Sequence, residues 1–223
     1  SFTPLVKISK SSGIERFIYA STSSVYGIKN EKEVNEETSL KPLTDYSRFK
    51  VECEKILLNY QSDSFTTTTI RPATVCGYSS RQRLDLVVNI LTNLAFNKRE
   101  IKVFGGSQMR PNIHIKDMIE GYLCILESPK NLVAGEIFNV GYDNQPVNSL
   151  ANLVKKVIGS DVNIKNVESN DNRSYHISSK KIEKTLGFKP RFTVEDAVYD
   201  LKKAFQNNLL PNSLNDEKYF NVK

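Results

Sequence analysis

The sequence has no apolar run approaching ~18 residues, so no stretch reads as a membrane-spanning helix. Its opening, Ser1-Phe2-Thr3-Pro4-Leu5-Val6-Lys7, lacks the long apolar core of a secretion signal. Cysteine is scarce: Cys53, Cys76 and Cys124 are odd in number and lack metal-ligand spacing. They fit buried thiols in a reducing cytoplasm better than a disulfide framework. Histidine is scarcer still. His114 and His176 lie far apart without a carboxylate cluster, so no metal site is expected, and His114 is expected to order a strand–helix junction. Internal repeats and low-complexity stretches are absent. What remains is a globular composition, 39% hydrophobic and 25% charged, and 223 residues are enough for one large domain with a real core.

A net charge of +6 raises the possibility of nucleic acid, but the lysines are scattered. Lys180-Lys181 and Lys202-Lys203 sit in helix-like patterns, where a solvated face accounts for them. An anionic small molecule such as a sugar diphosphate would use a few of these charges equally well.

Strand and helix patterns alternate. A helix ends near Ser12-Gly13, and Phe17 to Ala20 is a short apolar run typical of a buried parallel strand. A polar loop over 28–44 precedes a helix capped near Asp45, whose Phe49, Cys53, Ile56, Leu57 and Tyr60 share one face. The threonine-rich Phe65 to Ile70 reads as a strand ended by Arg71-Pro72. Further helices are expected over 84–95, 117–127, 149–158, 178–186 and 194–206. Strands are expected at 101–104, 113–115, 136–140 and 162–167, and the tail from Asn207 reads as loosely held. The alternation implies an α/β fold with a mainly parallel sheet, whose ligands bind beyond the carboxyl ends of the strands.

The hydroxyl row Ser21-Thr22-Ser23-Ser24 follows one such strand end. Tyr46 and Lys50 are four apart on the next helix and so share a face. A neighbouring ammonium favours a phenolate, and such a pair can take a proton from an alcohol whose carbon loses a hydride. Thr22 can hold the alcohol oxygen. Tyr199/Lys203 and Tyr219/Lys223 have the same spacing; only Tyr46/Lys50 follows a strand-end hydroxyl row.

Ala20-Ser21-Thr22-Ser23-Ser24-Val25-Tyr26-Gly27 with Tyr46-Ser47-Arg48-Phe49-Lys50 resembles the extended short-chain dehydrogenase/reductase family, in particular its NAD-dependent nucleotide-sugar epimerases and dehydratases. Ile70-Arg71-Pro72-Ala73-Thr74-Val75-Cys76-Gly77, Phe104 to Pro111, His114 to Asp117, Phe138 to Gly141, Arg173 and Leu186 to Pro190 extend the likeness along almost the whole chain. The resemblance implies a partial Rossmann-like, doubly wound parallel sheet over residues 1–77, with its first βα units missing. A smaller α/β substrate-binding lobe would fill 78–223, with about 113–128 returning to the first domain. It implies Tyr46 as general acid/base, Lys50 on the nicotinamide ribose, and Thr22 as the substrate-binding hydroxyl. Ala20, Ser21 and Pro72 would join Tyr46 and Lys50 at the cofactor. Ser23, Ser24, Thr74, Asn89, Val103, Arg110 and Arg173 would line the nucleotide-sugar site, where arginine forks suit phosphate oxygens. A homodimer through the Tyr46–Lys50 helix is a further implication.

Several departures narrow this reading. Ser23-Ser24 stands where sugar 4,6-dehydratases carry Asp-Glu, which favours an epimerase. A decarboxylase, dehydratase or reductase of the same family, or a non-catalytic binding module, is the alternative. Thr74 and Cys76 replace an asparagine and a tyrosine common in the family, so the sugar stays open. The family's G-x-x-G-x-x-G turn, which cradles the cofactor pyrophosphate, does not occur. The chain therefore reads as an N-terminally truncated member. NAD is the expected cofactor, with NADP left open.

Overall fold

The computed structural model describes residues 1–31, 33–168 and 174–221. Arg173 lies outside the described residues. The elements in chain order are α1 (Phe2–Ser11), β1 (Arg16–Ala20), a 3-10 turn (Ser23–Tyr26), α2 (Asp45–Leu58), β2 (Thr66–Pro72), β3 (Thr74–Cys76), α3 (Val87–Lys98), β4 (Glu100–Phe104), β5 (Met109–His114), α4 (Ile115–Glu127), α5 (Lys130–Val133), β6 (Ile137–Val140), β7 (Asp143–Pro146), α6 (Val147–Ile158), β8 (Asn163–Val167), α7 (Lys180–Leu186) and α8 (Val194–Gln206). They fall into two units. The first is Ser1–Ala73, Met118–Gly141 and Tyr175–Lys189; the second is Thr74–Asp117, Tyr142–Ser174 and Pro190–Lys223. The sequence places the division after residue 77 and a single return at about 113–128. The units divide after Ala73, and two stretches, 118–141 and 175–189, return.

The first unit is an α/β layer built on a three-stranded parallel sheet, β1-β2-β6. Arg16 to Ala20 pair with Thr66 to Ile70, and Thr69 to Pro72 pair with Ile137 to Val140. The central strand is polar yet buried, and the hydroxyls of Thr67 and Thr68 find partners there. Thr68 Oγ1 donates to Val133 O at 2.8 Å and Thr67 Oγ1 to Gln61 Oε1 at 3.0 Å. Odd and even residues of a strand face opposite ways. Thr68 thus meets α5 on one face, while Arg71 meets α2 on the other through Glu54. Helices on both faces are the doubly wound arrangement expected. Val6, Leu57 and Phe65 form the apolar contact beneath α1 and α2.

The helix α2 starts one residue from expectation: Thr44, not Asp45, is its cap, with Oγ1 accepting from Ser47 N at 3.2 Å. Gly27 ends the 3-10 turn at φ +68, with the Lys41 carbonyl packed where a Cβ would stand.

The second unit has a mixed sheet, β3-β5-β7, and a parallel pair, β4-β8. Its core is apolar: α6 buries Val147, Leu150, Ala151, Val154, Val157 and Ile158 on one face against α3 and α8. Thr193 and Asp196 form a reciprocal capping box at α8. Asp117, in the first turn of α4, accepts from Arg191 N at 3.0 Å and Phe192 N at 2.8 Å. The tail also departs from expectation. Leu210 and Tyr219 are buried beside Leu201 and Phe205, and Asn93 Nδ2 donates to Ser213 O. Two apolar anchors nine positions apart carry no periodic signal.

His114 sits at the β5–α4 junction, 1% exposed and stacked on Phe192. Its Nδ1 accepts from Lys116 N at 3.1 Å, so the neutral ring carries its proton on Nε2. Nε2 lies 3.3 Å from Asp200 Oδ2 without hydrogen-bond alignment. Among the described residues no helix is long and apolar enough to cross a membrane, and no His/Cys/Asp/Glu group could hold a metal.

Two outcomes test these packing arguments. Gly27→Ala should lower unfolding stability by about 2 kcal/mol or more, read from the urea midpoint, because the left-handed φ and the Lys41 carbonyl both oppose a side chain. Burial holds the His114 pKa below 6.5, against the pull of Asp200. Below pH 6.5 the unfolded chain therefore binds a proton that the native state refuses, and stability falls with falling pH until the native pKa is reached. The slope of unfolding free energy against pH in that window should flatten in His114→Gln.

Candidate functional site

The strands β1, β2 and β6 run parallel, so Ala20, Pro72 and Val140 lie at the same end of the sheet. Beyond Ala20, Ser21 N still donates to Ile70 O at 2.8 Å, and then the chain turns away. The hydroxyl row divides by alternation. Ser21 and Ser23 are buried, whereas Thr22 and Ser24 are half-buried. Thr22 is extended and caps the 3-10 turn, its Oγ1 accepting from Ser24 N at 3.2 Å.

From Thr22 a chain of hydroxyls runs to the helix start. Thr22 Oγ1 and Ser24 Oγ are 3.0 Å apart, Ser24 Oγ and Ser47 Oγ 3.0 Å, and Ser47 Oγ and Thr44 Oγ1 2.9 Å. This chain fastens the first turn of α2 to the strand end. Tyr46, on that turn, is 59% exposed. Lys50, one turn further, donates from Nζ to Ala20 O at 2.6 Å. The same ammonium stands 5.6 Å from the Tyr46 ring centroid and 4.9 Å from that of Tyr19. Partial burial lowers the Lys50 pKa, opposed by Cys53 and Glu54. Burial, with the neighbouring Cys53, pushes the Tyr19 phenol up, so Tyr19 stays neutral. Of the two tyrosines beside Lys50, Tyr46 is the exposed one.

A second layer was not foreseen in the sequence. Glu54, one turn past Lys50, is buried against Arg71 of β2 in a two-point pair: Nη2 to Oε2 at 2.7 Å and Nε to Oε1 at 3.1 Å. Their side chains are 5% and 3% exposed. Ser21 Oγ donates to Glu54 Oε1. Arg71 Nη1 donates to Tyr26 OH at 2.9 Å, and Tyr26 OH to Asn139 Oδ1 at 2.7 Å. Removing two such charges from water costs several kcal/mol per ion, so the net contribution of the pair to stability is small. The available sequence signal was the i, i+4 ladder Tyr46, Lys50, Glu54; Ser47 and Tyr26 carried none.

The other expected residues divide between the units. Pro72 closes β2 in the first unit. Thr74, Asn89, Val103 and Arg110 belong to the second. Thr74 is half-buried and opposite Asn112 in the β3–β5 register. Asn89 is buried with both ends of its amide on backbone, Oδ1 accepting from Gly77 N at 3.1 Å and Nδ2 donating to Arg83 O at 2.8 Å. Val103 is fully buried in the apolar core. Arg110 is half-buried on β5, with Nη1 donating to Met109 O at 3.0 Å.

Residues 2–141 match the NAD dependent epimerase/dehydratase family. A protein of Bacillus subtilis (strain 168) described as an uncharacterized UDP-glucose epimerase is 34% identical over 158 residues, which cover 70% of this chain and 48% of that protein. The dTDP-D-glucose 4,6-dehydratase of Mus musculus is 28% identical over 217 residues, covering 92% of this chain and 59% of that protein. The chain thus spans about half to three fifths of the length of these curated relatives. The solved UDP-glucose 4-epimerase of Thermotoga maritima, with UDP-glucose, has a TM-score of 0.84 at 24% identity, over 93% of this chain and 69% of that one. MoeE5 in complex with UDP-glucuronic acid and NAD gives 0.81 at 20% identity, over 93% and 70%. These two likenesses establish the fold, and the sequence match, reaching across more than half of the residues, establishes the kinship: this chain belongs to the NAD-dependent epimerase/dehydratase family.

Proposed function

We propose that the protein carrying this chain is a cytoplasmic, NAD-dependent nucleotide-sugar epimerase-type enzyme, with Tyr46 as its acid/base. The observation that carries this is Lys50, held at Ala20 O with its charge beside the exposed Tyr46 ring. Family kinship and relatives described as UDP-glucose epimerases support it. Tyr46 would take the proton of a sugar hydroxyl, since the Lys50 charge favours the phenolate. Thr22 would hold the same oxygen, oriented through Ser24 and Ser47. A keto sugar presented to the other face would recover its proton from Tyr46. The chemistry supplied by bound NAD would be hydride acceptance and return.

The residues present fit one end of that cofactor. Lys50, Ala20 and Pro72 lie at the carboxyl end of a parallel sheet, where a nicotinamide ribose would sit. No G-x-x-G-x-x-G turn occurs in the 223 residues, so the pyrophosphate is not assigned to them. Arg110, Asn89 and Thr74 are proposed on the nucleotide-sugar side. The bonds Asn89 already makes leave it a supporting part, and Val103 contributes shape through the core. A second copy of the chain is the proposed partner through the Tyr46–Lys50 helix, α2, where Phe49 is exposed. Phe49→Asp should then sediment as a monomer, and unchanged sedimentation of a dimer would remove α2 from that interface.

Turnover of UDP-, dTDP- and GDP-sugars by the protein containing this chain tests the reaction. An isomer of unchanged mass is expected; loss of water or of carbon dioxide would assign a dehydratase or a decarboxylase instead. Tyr46→Phe should lower kcat about 100- to 10,000-fold with little change in KM. Retained turnover in Tyr46→Phe would refute the assignment of the base.

A further inference from the structure

We infer that Glu54 and Arg71 are positioning residues, which set the placement of Tyr46, Lys50 and Thr22 through the buried fork between α2 and β2. This rests on the reading of Tyr46 and Lys50 given above, and it adds two residues behind them. Glu54 is the third rung of the ladder Tyr46, Lys50, Glu54, so its position fixes the rotation of the helix face that carries the other two. Its carboxylate is shared. Oε1 accepts from Ser21 Oγ and Arg71 Nε, and Oε2 from Arg71 Nη2.

Each partner borders a site residue. Ser21 lies between Ala20, whose carbonyl receives Lys50, and Thr22. Arg71 precedes Pro72 at the end of β2. The remaining Arg71 nitrogen, Nη1, reaches Tyr26 OH, which holds the 3-10 turn containing Ser24. Tyr26 passes the link to Asn139 of β6. One carboxylate–guanidinium fork therefore ties together α2, the ends of β1 and β2, and the turn.

A planar two-point fork fixes both distance and direction. Apolar side chains in its place would leave α2 free to slide or roll while keeping it packed. The pair costs desolvation on both sides, so what it supplies here is geometry rather than stability. A cavity of about 170 Å³, lined among others by Leu40, Val51, Leu58, Thr69 and Ile137, adjoins it. That space lets substituted side chains settle without forcing the helix off the sheet.

The test uses the protein that contains this chain, with Glu54→Leu/Arg71→Met and, separately, Ser21→Ala. The double substitution removes both charges together, so neither is left buried and alone. Expected are a urea midpoint near that of the parent and kcat lowered at least about tenfold with sugar KM within about threefold, the pattern of lost positioning rather than lost binding. Hydrogen exchange provides a readout independent of turnover. The Ser24 and Ser47 amides, which donate to Thr22 Oγ1 and Thr44 Oγ1, should exchange at least about tenfold faster, with the amides of α6 unchanged. A stable double variant with parental kcat, or with parental exchange at Ser24 and Ser47, overturns the inference. Should the double variant not fold, Ser21→Ala decides through exchange: faster exchange of the Ser24 amide upholds it, and parental exchange there overturns it. Should the parent convert no sugar nucleotide, the functional reading fails, and the exchange comparison still decides the positioning.

Discussion

Strand β2 is buried on both faces although four of its residues are threonine and a fifth is arginine. That constraint shapes the first unit. A buried polar group without a partner costs about 1–3 kcal/mol, and more when charged. The strand therefore dictates what lies around it. Thr68 needs an acceptor and finds Val133 O at the end of α5; Thr67 finds Gln61 just past α2. Arg71 needs a carboxylate, and Glu54 supplies it from α2. Satisfying one strand thus places helices on both faces, and α2 brings Tyr46 and Lys50 with it.

The second unit follows a different logic. Its core is aliphatic, and α3, α6 and α8 meet through Val88, Leu91, Leu150, Val154, Ala197 and Val198. No buried ion pair is recorded in it among the described residues, and its polar order lies at boundaries: the Thr193–Asp196 box, Asp117 on Arg191 and Phe192, and Asn89 on the Gly77 turn. Geometry in the first unit is set by charge and hydroxyls, in the second by packing and caps.

This difference explains what could be read from the sequence. Elements with a periodic apolar face were legible: α6 and α8 fall within two residues of expectation, as do β1 and β6. β7 was not, because Asp143-Asn144-Gln145-Pro146 has no strand character and is held only by pairing with β5. The packed tail is equally silent in the sequence, since its buried Leu210 and Tyr219 fit no periodic pattern. At the site, Thr22, Tyr46 and Lys50 could be singled out by spacing and context. Ser47 and Arg71 could not, and Glu54 only as the third rung of the Tyr46–Lys50 ladder, because nothing in a linear pattern says that a Glu and an Arg seventeen positions apart share a buried fork.

The hydroxyl at Ser24 also bears on the chemistry. A carboxylic acid there could protonate a leaving hydroxyl and assist loss of water. Ser24 cannot, since an alcohol is far too weak an acid, and its oxygen is already shared between Thr22 and Ser47. Ser23 is buried. The nearby carboxylate of Glu54 is buried and bound on both oxygens to Arg71. On the proposed reading the acid/base group at this strand end is Tyr46, with the Lys50 ammonium beside its ring. One such group can remove and return a proton at a single oxygen, which is what oxidation and re-reduction of one carbinol requires and what elimination between two carbons does not.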